Sequence, residues 1–262
     1  MSLNGYLIFP NFFAPKCNKY ITDDNPTKIH AISYGICNFN CNYCSFSKQN
    51  ADGGFYLWKD AEKFSKKVDS LMPLGKSFKF TGGEPTINPL LERDIEIVKN
   101  KGGTIYLDTN GSNCKVVENL LNKDLIDVLA ISIKGLTKEE AIRNSQCSSV
   151  SLCWDNVWKS IELGTKSKNT EVIVTYVCNQ YFSYEKLCDF AKKLNAFDNV
   201  YLKINNYQED NGLEGNGWEA YNEEQLENDV KKLVEEDPKW KNRIIVIHNS
   251  SAIQRFDKVQ LF

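Results

Sequence analysis

The chain reads as an α/β protein built on a parallel sheet, and two observations predict this. Short apolar runs rich in β-branched and aromatic residues alternate with longer amphipathic segments along most of its length. Strand–helix alternation of that kind closes right-handed βαβ units around a parallel sheet. Six such units suggest an incomplete barrel, and 262 residues can bury a single core of that size.

Ile29–Tyr34 is the first expected strand. Trp58, Ala61, Phe64, Val68 and Leu71 share one helical face, so Trp58–Leu71 reads as an amphipathic helix. Phe78–Phe80 alternates with polar neighbours as a second strand, broken by Gly82-Gly83. Asn88–Asn100 follows as a helix ended by Gly102-Gly103, and Thr104–Asp108 is the third strand. Lys115–Asn122 reads as a short helix, Asp127–Ile133 as a strand and Trp154–Leu163 as a helix. Glu171–Val177 is the next strand. Tyr184–Leu194 is helical, with Leu187, Phe190, Ala191 and Leu194 on one face. Val200–Ile204 is the sixth strand. Charge-rich Asn222–Glu236 and the strand Arg243–His248 form a short C-terminal helix-strand extension. The reading is one domain over residues 1–262, with a core at about 29–204 and the extension at about 205–262.

Cys37, Cys41 and Cys44 lie in the run Cys37-Asn-Phe-Asn-Cys41-Asn-Tyr-Cys44. Three such thiolates can hold three irons of a [4Fe–4S] cluster, which ordinarily takes four Cys ligands. The open iron would accept an outside ligand, and open coordination marks catalysis rather than structure. The run alone leaves a tetrahedral zinc site open, completed by Cys17 or a later Cys. A disulfide framework fits poorly: nine Cys is an odd number in a long chain with no visible export signal.

A second run, Phe78-Lys-Phe-Thr-Gly82-Gly83-Glu84-Pro85, follows by about one helix. Glycines at a strand end let backbone groups approach a ligand closely, and Glu84 sets a carboxylate beside them, suited to an ammonium group. Alone this is a turn. Together the two runs resemble the radical S-adenosylmethionine (SAM) superfamily, with Tyr43 as the aromatic residue before the last Cys and Gly82–Pro85 as the Gly-Gly-Glu motif. The resemblance covers roughly residues 29–204.

It implies a partial (β/α)6 TIM-type barrel with chemistry at the C-terminal ends of the strands. It also implies a [4Fe–4S] cluster on Cys37, Cys41 and Cys44, with SAM chelating the open iron. Glu84, with Gly82, Gly83 and Pro85 around it, would fix the SAM amino group. Tyr43 would contact adenine, and Lys134 the carboxylate or ribose. Asp108-Thr109-Asn110-Gly111 resembles a stretch of glycyl-radical activating enzymes that lies beside SAM and helps bind a monovalent cation. Those enzymes carry Asp-x-Lys at the next strand end. Here Ser132-Ile133-Lys134 keeps the Lys and lacks the acid. Asn205, ending the sixth strand, completes the cofactor-binding set.

The implied reaction is reductive SAM cleavage to a 5′-deoxyadenosyl radical that abstracts a hydrogen atom from substrate. A flavodoxin- or ferredoxin-type electron donor is implied, and a glycyl-radical enzyme as partner. The alternative substrate is a small molecule or peptide, of the 7-deazaguanine-precursor or peptide-maturation type.

Composition is that of a soluble enzyme, and a net charge of −2 argues against broad nucleic-acid or membrane-surface binding. No run of eighteen apolar residues occurs. Tyr6–Phe13 is apolar, but Pro10 and Asn11 interrupt it and no basic segment precedes it, so it fails as a signal peptide. A cytoplasmic setting with little oxygen is expected. Cys17, Cys114, Cys147, Cys153, Cys178 and Cys188 read as small buried hydrophobes, with Cys147 and Cys153 the pair to test for an auxiliary cluster. His30 and His248 read as structural. Polar, glycine-rich Asn205–Tyr221 reads as a solvated loop or a substrate lid.

Overall fold

Successive residues of Phe78-Lys79-Phe80-Thr81 point to opposite faces of a strand, and that period organises the whole sheet. The computed structural model describes residues 6–10, 28–44, 59–207, 217–247 and 259–261. One nine-stranded sheet runs in chain order. Its strands are β1 (Tyr6–Pro10), β2 (Lys28–Tyr34), β3 (Ser77–Gly82), β4 (Thr104–Thr109), β5 (Val128–Ser132), β6 (Glu171–Cys178), β7 (Val200–Asn206), β8 (Ile244–Ile247) and β9 (Val259–Leu261). All pairings from β2 to β8 are parallel, while β1 and β9 add antiparallel edges.

Helices α1 (Ala61–Leu71), α2 (Leu91–Asn100), α3 (Cys114–Asn122), α4 (Lys138–Ser145), α5 (Asn156–Lys166), α6 (Tyr184–Leu194) and α7 (Glu223–Glu236) make the crossovers. The result is an α/β partial barrel, its six parallel strands β2–β7 followed by α7 and β8. No helix among the described residues is long and apolar enough to cross a membrane.

Two apolar layers lie on the two faces. Phe78, Phe80, Leu107, Leu129, Val174 and Leu202 look outward into a core completed by helix residues such as Phe64, Ile95, Ile161 and Phe190. Each fully buried residue of that size contributes about 1.5–3 kcal/mol. Tyr106, Val128, Ala130 and Ile173 form a smaller cluster on the other face, with Tyr201 packed against it. Lys79 and Thr81 share this inner face by parity.

The expected boundaries shift where caps act. Asp60 accepts from Glu62 N and Lys63 N, so α1 starts at Ala61 rather than Trp58, which lies outside the described residues. A 3-10 turn at Pro85–Ile87 delays α2 to Leu91. A π-helical turn, Ser151–Asp155, precedes α5. Helix α4 has no counterpart among the expected elements, nor do β1 and β9. α4 carries little apolar periodicity, but Thr137 caps Glu140 N, and Thr-x-x-Glu is a helix-start signature.

Asp94 ties the first strand of the parallel array to α2. It is fully buried and accepts from Tyr34 Oη at 3.0 Å and from Arg93 Nη2 at 2.6 Å. Asp94→Ala would leave a buried hydroxyl and a guanidinium without their acceptor. Its unfolding free energy in urea should fall by about 3 kcal/mol. A change below about 1 kcal/mol would deny the pair this role.

Candidate active site at the barrel mouth

Parallel strands place their C-terminal loops on one side, and the cysteine loop after β2 lies there. Cys41 is buried, and Cys37 and Cys44 are half-buried. Phe39 N donates to Cys37 Sγ at 3.4 Å, and Asn110 Nδ2 reaches the same sulfur at 3.9 Å. The loop is anchored on both sides. Asn40 N and Asn42 N donate to Ser145 O and Asn144 O at the end of α4. On the other side Gly83 N donates to Tyr34 O, and Glu84 N to Ile36 O at 2.7 Å. A side chain at Gly83 would collide with the Ile36 backbone, which explains the glycine.

Eleven of the expected site residues line one pocket of about 220 Å³: Cys37, Cys41, Tyr43, Cys44, Gly82, Gly83, Asp108, Thr109, Asn110, Ser132 and Lys134. Phe39, Thr81 and Val177 complete it. Pro85 is buried in the turn behind the pocket. Asn205 is the register partner of pocket-lining Val177, and its buried Oδ1 has no hydrogen-bond partner.

Glu84 departs from the geometry expected of it. Its carboxylate has no solvent exposure and accepts from Thr86 N at 3.0 Å, Thr86 Oγ1 at 2.5 Å, Thr109 Oγ1 at 2.6 Å and Asn110 N at 2.6 Å. It faces the end of β4 instead of the pocket. Burial raises its pKa, against those hydrogen bonds.

Asp108 accepts from Lys79 Nζ at 2.7 Å, Ser132 Oγ at 3.2 Å and Thr81 Oγ1 at 3.3 Å. Burial works to raise its carboxyl, but Lys79, Lys203 and Lys134 outweigh it and hold it below the ordinary range. Lys79 thus sits on the carboxylate that a monovalent cation would use. Lys203 occupies the register position opposite Thr175, one step below Asn205. Burial, aided by Lys79 and opposed by Asp108, pushes its ammonium down to about 7.

The donor set fits an iron–sulfur cubane. Among the described residues no three His, Cys, Asp or Glu groups converge closely enough for one metal ion. A cubane spreads its ligands over separate corners, which suits three thiols carried by one loop. Burial pushes the Cys37 thiol up and Cys41 up to about 11, so both need a strong nearby positive charge to ionise. Lys134 faces them: burial acts against its charge, but Cys41, Cys37 and Cys44 raise its pKa.

Several contributors escaped the sequence reading. The Tyr43 ring meets Trp218 at 4.9 Å, and Tyr207 and Tyr181 flank that indole. Nothing in the local sequence marks Trp218. Lys79 had a signal: a Lys between two core Phe residues of a strand must face the other side. His30 Nε2 pairs with Gly75 O at 3.0 Å, a structural contact. Cys178 is buried in the core and Cys188 packs against it, while Cys147 and Cys153 lie with Phe39 and Cys41. Cys17, His248 and most of the glycine-rich 205–221 stretch lie outside the described residues.

Fold and site together define an α/β protein with a thiol-lined pocket at its strand ends, and the comparisons give the family. Residues 31–194 match the radical SAM superfamily, more than half of the chain, and the chain belongs to it. A [4Fe–4S] cluster and SAM are the cofactors characteristic of that family. A Methanocaldococcus jannaschii protein named for glycyl-radical enzyme activation is 35% identical over 43% of this chain and 46% of its own length. The 7-carboxy-7-deazaguanine synthase of Haemophilus influenzae is 31% identical over 40% of this chain and 43% of its own. The matched stretches thus span less than half of these curated relatives. Streptococcus suis SuiB bound to S-adenosylmethionine superposes on 91% of this chain and 54% of its own, with a TM-score of 0.68 and 14% identity. That similarity is one of fold.

Two expectations follow from this geometry. Glu84→Ala would leave the buried Asn110 and Thr86 N–H groups without an acceptor, so unfolding in urea should need about 3 kcal/mol less. Wild-type stability in that variant would show the carboxylate to be no structural tie.

Lys203 releases its proton more readily in the folded state than at the ordinary lysine value of about 10.4. Its contribution to stability is therefore full above that value and is lost as pH falls through about 7. Lys203→Met removes the contribution. Urea unfolding across this range should show a shallower pH dependence for the variant than for wild type, and equal slopes would refute the assignment.

Proposed function

We propose that this chain is a radical SAM activating enzyme whose substrate is a glycine of a partner glycyl-radical enzyme. The observation that carries the catalytic part is the single pocket uniting three cysteine thiols, the Gly82-Gly83 backbone and Lys134. The activase part is supported by the relative named for that activity and by Asp108-Thr109-Asn110-Gly111 at the end of β4. In this reading Cys37, Cys41 and Cys44 ligate the cluster, which when bound supplies one electron for cleavage of SAM to methionine and a 5′-deoxyadenosyl radical.

The chain's own groups bind and orient. Backbone at Gly82 and Gly83 receives the SAM amino group, while Glu84 and Pro85 hold that backbone in place. Glu84 does so through Thr109 and Asn110. Tyr43, backed by Trp218, offers a face for adenine. Lys134 balances the thiolates and neighbours the SAM carboxylate. Asp108, itself held by Ser132, positions Lys79, whose ammonium serves where a monovalent cation would. Asn205, with its open acceptor, faces the substrate side. Electrons come from a flavodoxin- or ferredoxin-type protein, and the setting is the cytoplasm.

A second reading, radical modification of a small molecule, draws on the 7-carboxy-7-deazaguanine synthase relative. One experiment separates them. Reconstituted protein, dithionite and SAM should yield 5′-deoxyadenosine equally in potassium and choline buffers. Cys37, Cys41 and Cys44 changed together to Ala should hold no cluster iron. Adding the candidate partner should produce a glycyl-radical doublet in electron resonance. Substrate label reaching 5′-deoxyadenosine only from a metabolite or peptide would overturn the activase reading.

A further inference from the structure

Cys147 and Cys153 form a second sulfur pair beside the cysteine loop, and the backbone brings them together by an unusual route. Helix α4 ends at Ser145 and is capped by Gln146, whose φ of 51° is left-handed and turns the chain back. Cys147 then sits with its thiol toward Ser149 O at 3.7 Å. The π-helical turn Ser151–Asp155 carries Cys153 over it, with Sγ 3.8 Å from Cys147 O. The two thiols are within interaction range of each other. π-helical turns are rare and concentrate at functional sites. Cys153 is 1% exposed, while Cys147 is half-buried, so a reagent reaches the pair through Cys147.

The pair is also coupled to the cysteine loop. Residues 144 and 145, just before Cys147, accept the N–H groups of Asn42 and Asn40, which flank Cys41. Asn40 Nδ2 adds a bond to Gln146 Oε1 at 2.8 Å. Cys153, Cys147, Phe39 and Cys41 belong to one packed cluster. The 147–153 turn begins directly after residues 144–146, so fixing that turn fixes the end of the strip to which the loop is bonded.

We propose that Cys147 and Cys153 are a reversible thiol–disulfide site whose oxidised form latches the cysteine loop. The oxidant is a low-molecular-weight disulfide. The Cys147 thiolate attacks one of its sulfurs and displaces a thiolate, which takes up the proton lost by Cys147. Cys153 then attacks the Cys147 sulfur of the mixed disulfide and expels the second small thiol, which carries off the Cys153 proton. Two protein thiols are oxidised by two electrons, and one small disulfide is reduced to two thiols. The cross-link closes the 147–153 turn and so anchors the end of the adjoining 144–146 strip that supports Asn40 and Asn42. Loop opening becomes rarer, so iron held by the loop is released more slowly.

The test uses the full, anaerobically reconstituted chain. After incubation with oxidised glutathione, alkylation and peptide mass mapping should show Cys147 linked to Cys153, with Cys178 and Cys188 alkylated as free thiols. Iron transfer to a chelator should then be about threefold slower or more than from reduced protein. Cys147→Ser should release iron at one rate under both conditions. Free or merely glutathionylated Cys147 beside free Cys153 overturns the site, and needs no variant to establish. A mapped disulfide with unchanged or faster release overturns the latch. The iron arm rests on the cluster reading proposed above, whereas the mapping arm does not. Failure of the protein to take up iron would therefore count against that reading alone.

Discussion

One buried carboxylate holds the mouth of the barrel together. Glu84 follows β3, yet its four acceptor bonds run to Thr86, Thr109 and Asn110, so two strand ends are fixed relative to each other. A carboxylate out of water is costly unless its lone pairs are used, and here they are. The tie extends further. Asn110, placed by Glu84, donates from Nδ2 to Asn38 Oδ1 at 2.9 Å, and Asn38 Nδ2 returns to Ser112 Oγ at 2.8 Å. The cysteine loop is thereby set against β4 by side chains of one network. Loss of any member would loosen the thiols as a group, because polar networks of this kind act cooperatively.

Beneath that network the inner face is charged where a barrel of this size would ordinarily be filled by branched apolar side chains. Lys79 and Asp108 form an ion pair, Lys203 lies near both, and their register partners Tyr106 and Ala130 belong to the small apolar cluster of this face. Buried ion pairs add little to stability against apolar replacements of the same shape. Their presence directly below the pocket argues for an electrostatic role. Asp108 neutralises Lys79, so the positive charge that faces the thiolates from the pocket wall is that of Lys134, which suits a substrate or cofactor carboxylate as well.

The chemistry was legible in the sequence because its residues are close together in the chain. Cys37, Cys41 and Cys44 fall within one loop, and the Gly82–Pro85 turn ends one strand, so local spacing carried the information. Alternation of strands and helices gave the parallel order, since each βα unit has its own periodic signal. What stayed hidden depends on distant partners. The orientation of Glu84 is decided by Thr109 and Asn110, and the backing of Tyr43 by Trp218. Helix α4 lacks a strong apolar stripe, and β1 and β9 are edges that pair with strands already formed.

That missing helix changes how the site is understood. The cysteine loop has Glu84 and the β4 end on one side and the end of α4 on the other, where Ser145 O and Asn144 O receive its N–H groups. A loop bonded on both flanks needs little reorganisation to hold ligands in fixed positions. The α4 side is held by main chain next to Cys147, a half-buried thiol, while the β4 side is held by buried Glu84, Thr109, Asn110 and Ser112 together with exposed Asn38. On the Glu84 side Ile36 and Asn38 are exposed as well, so adjustment of the loop to its surroundings can enter from either flank.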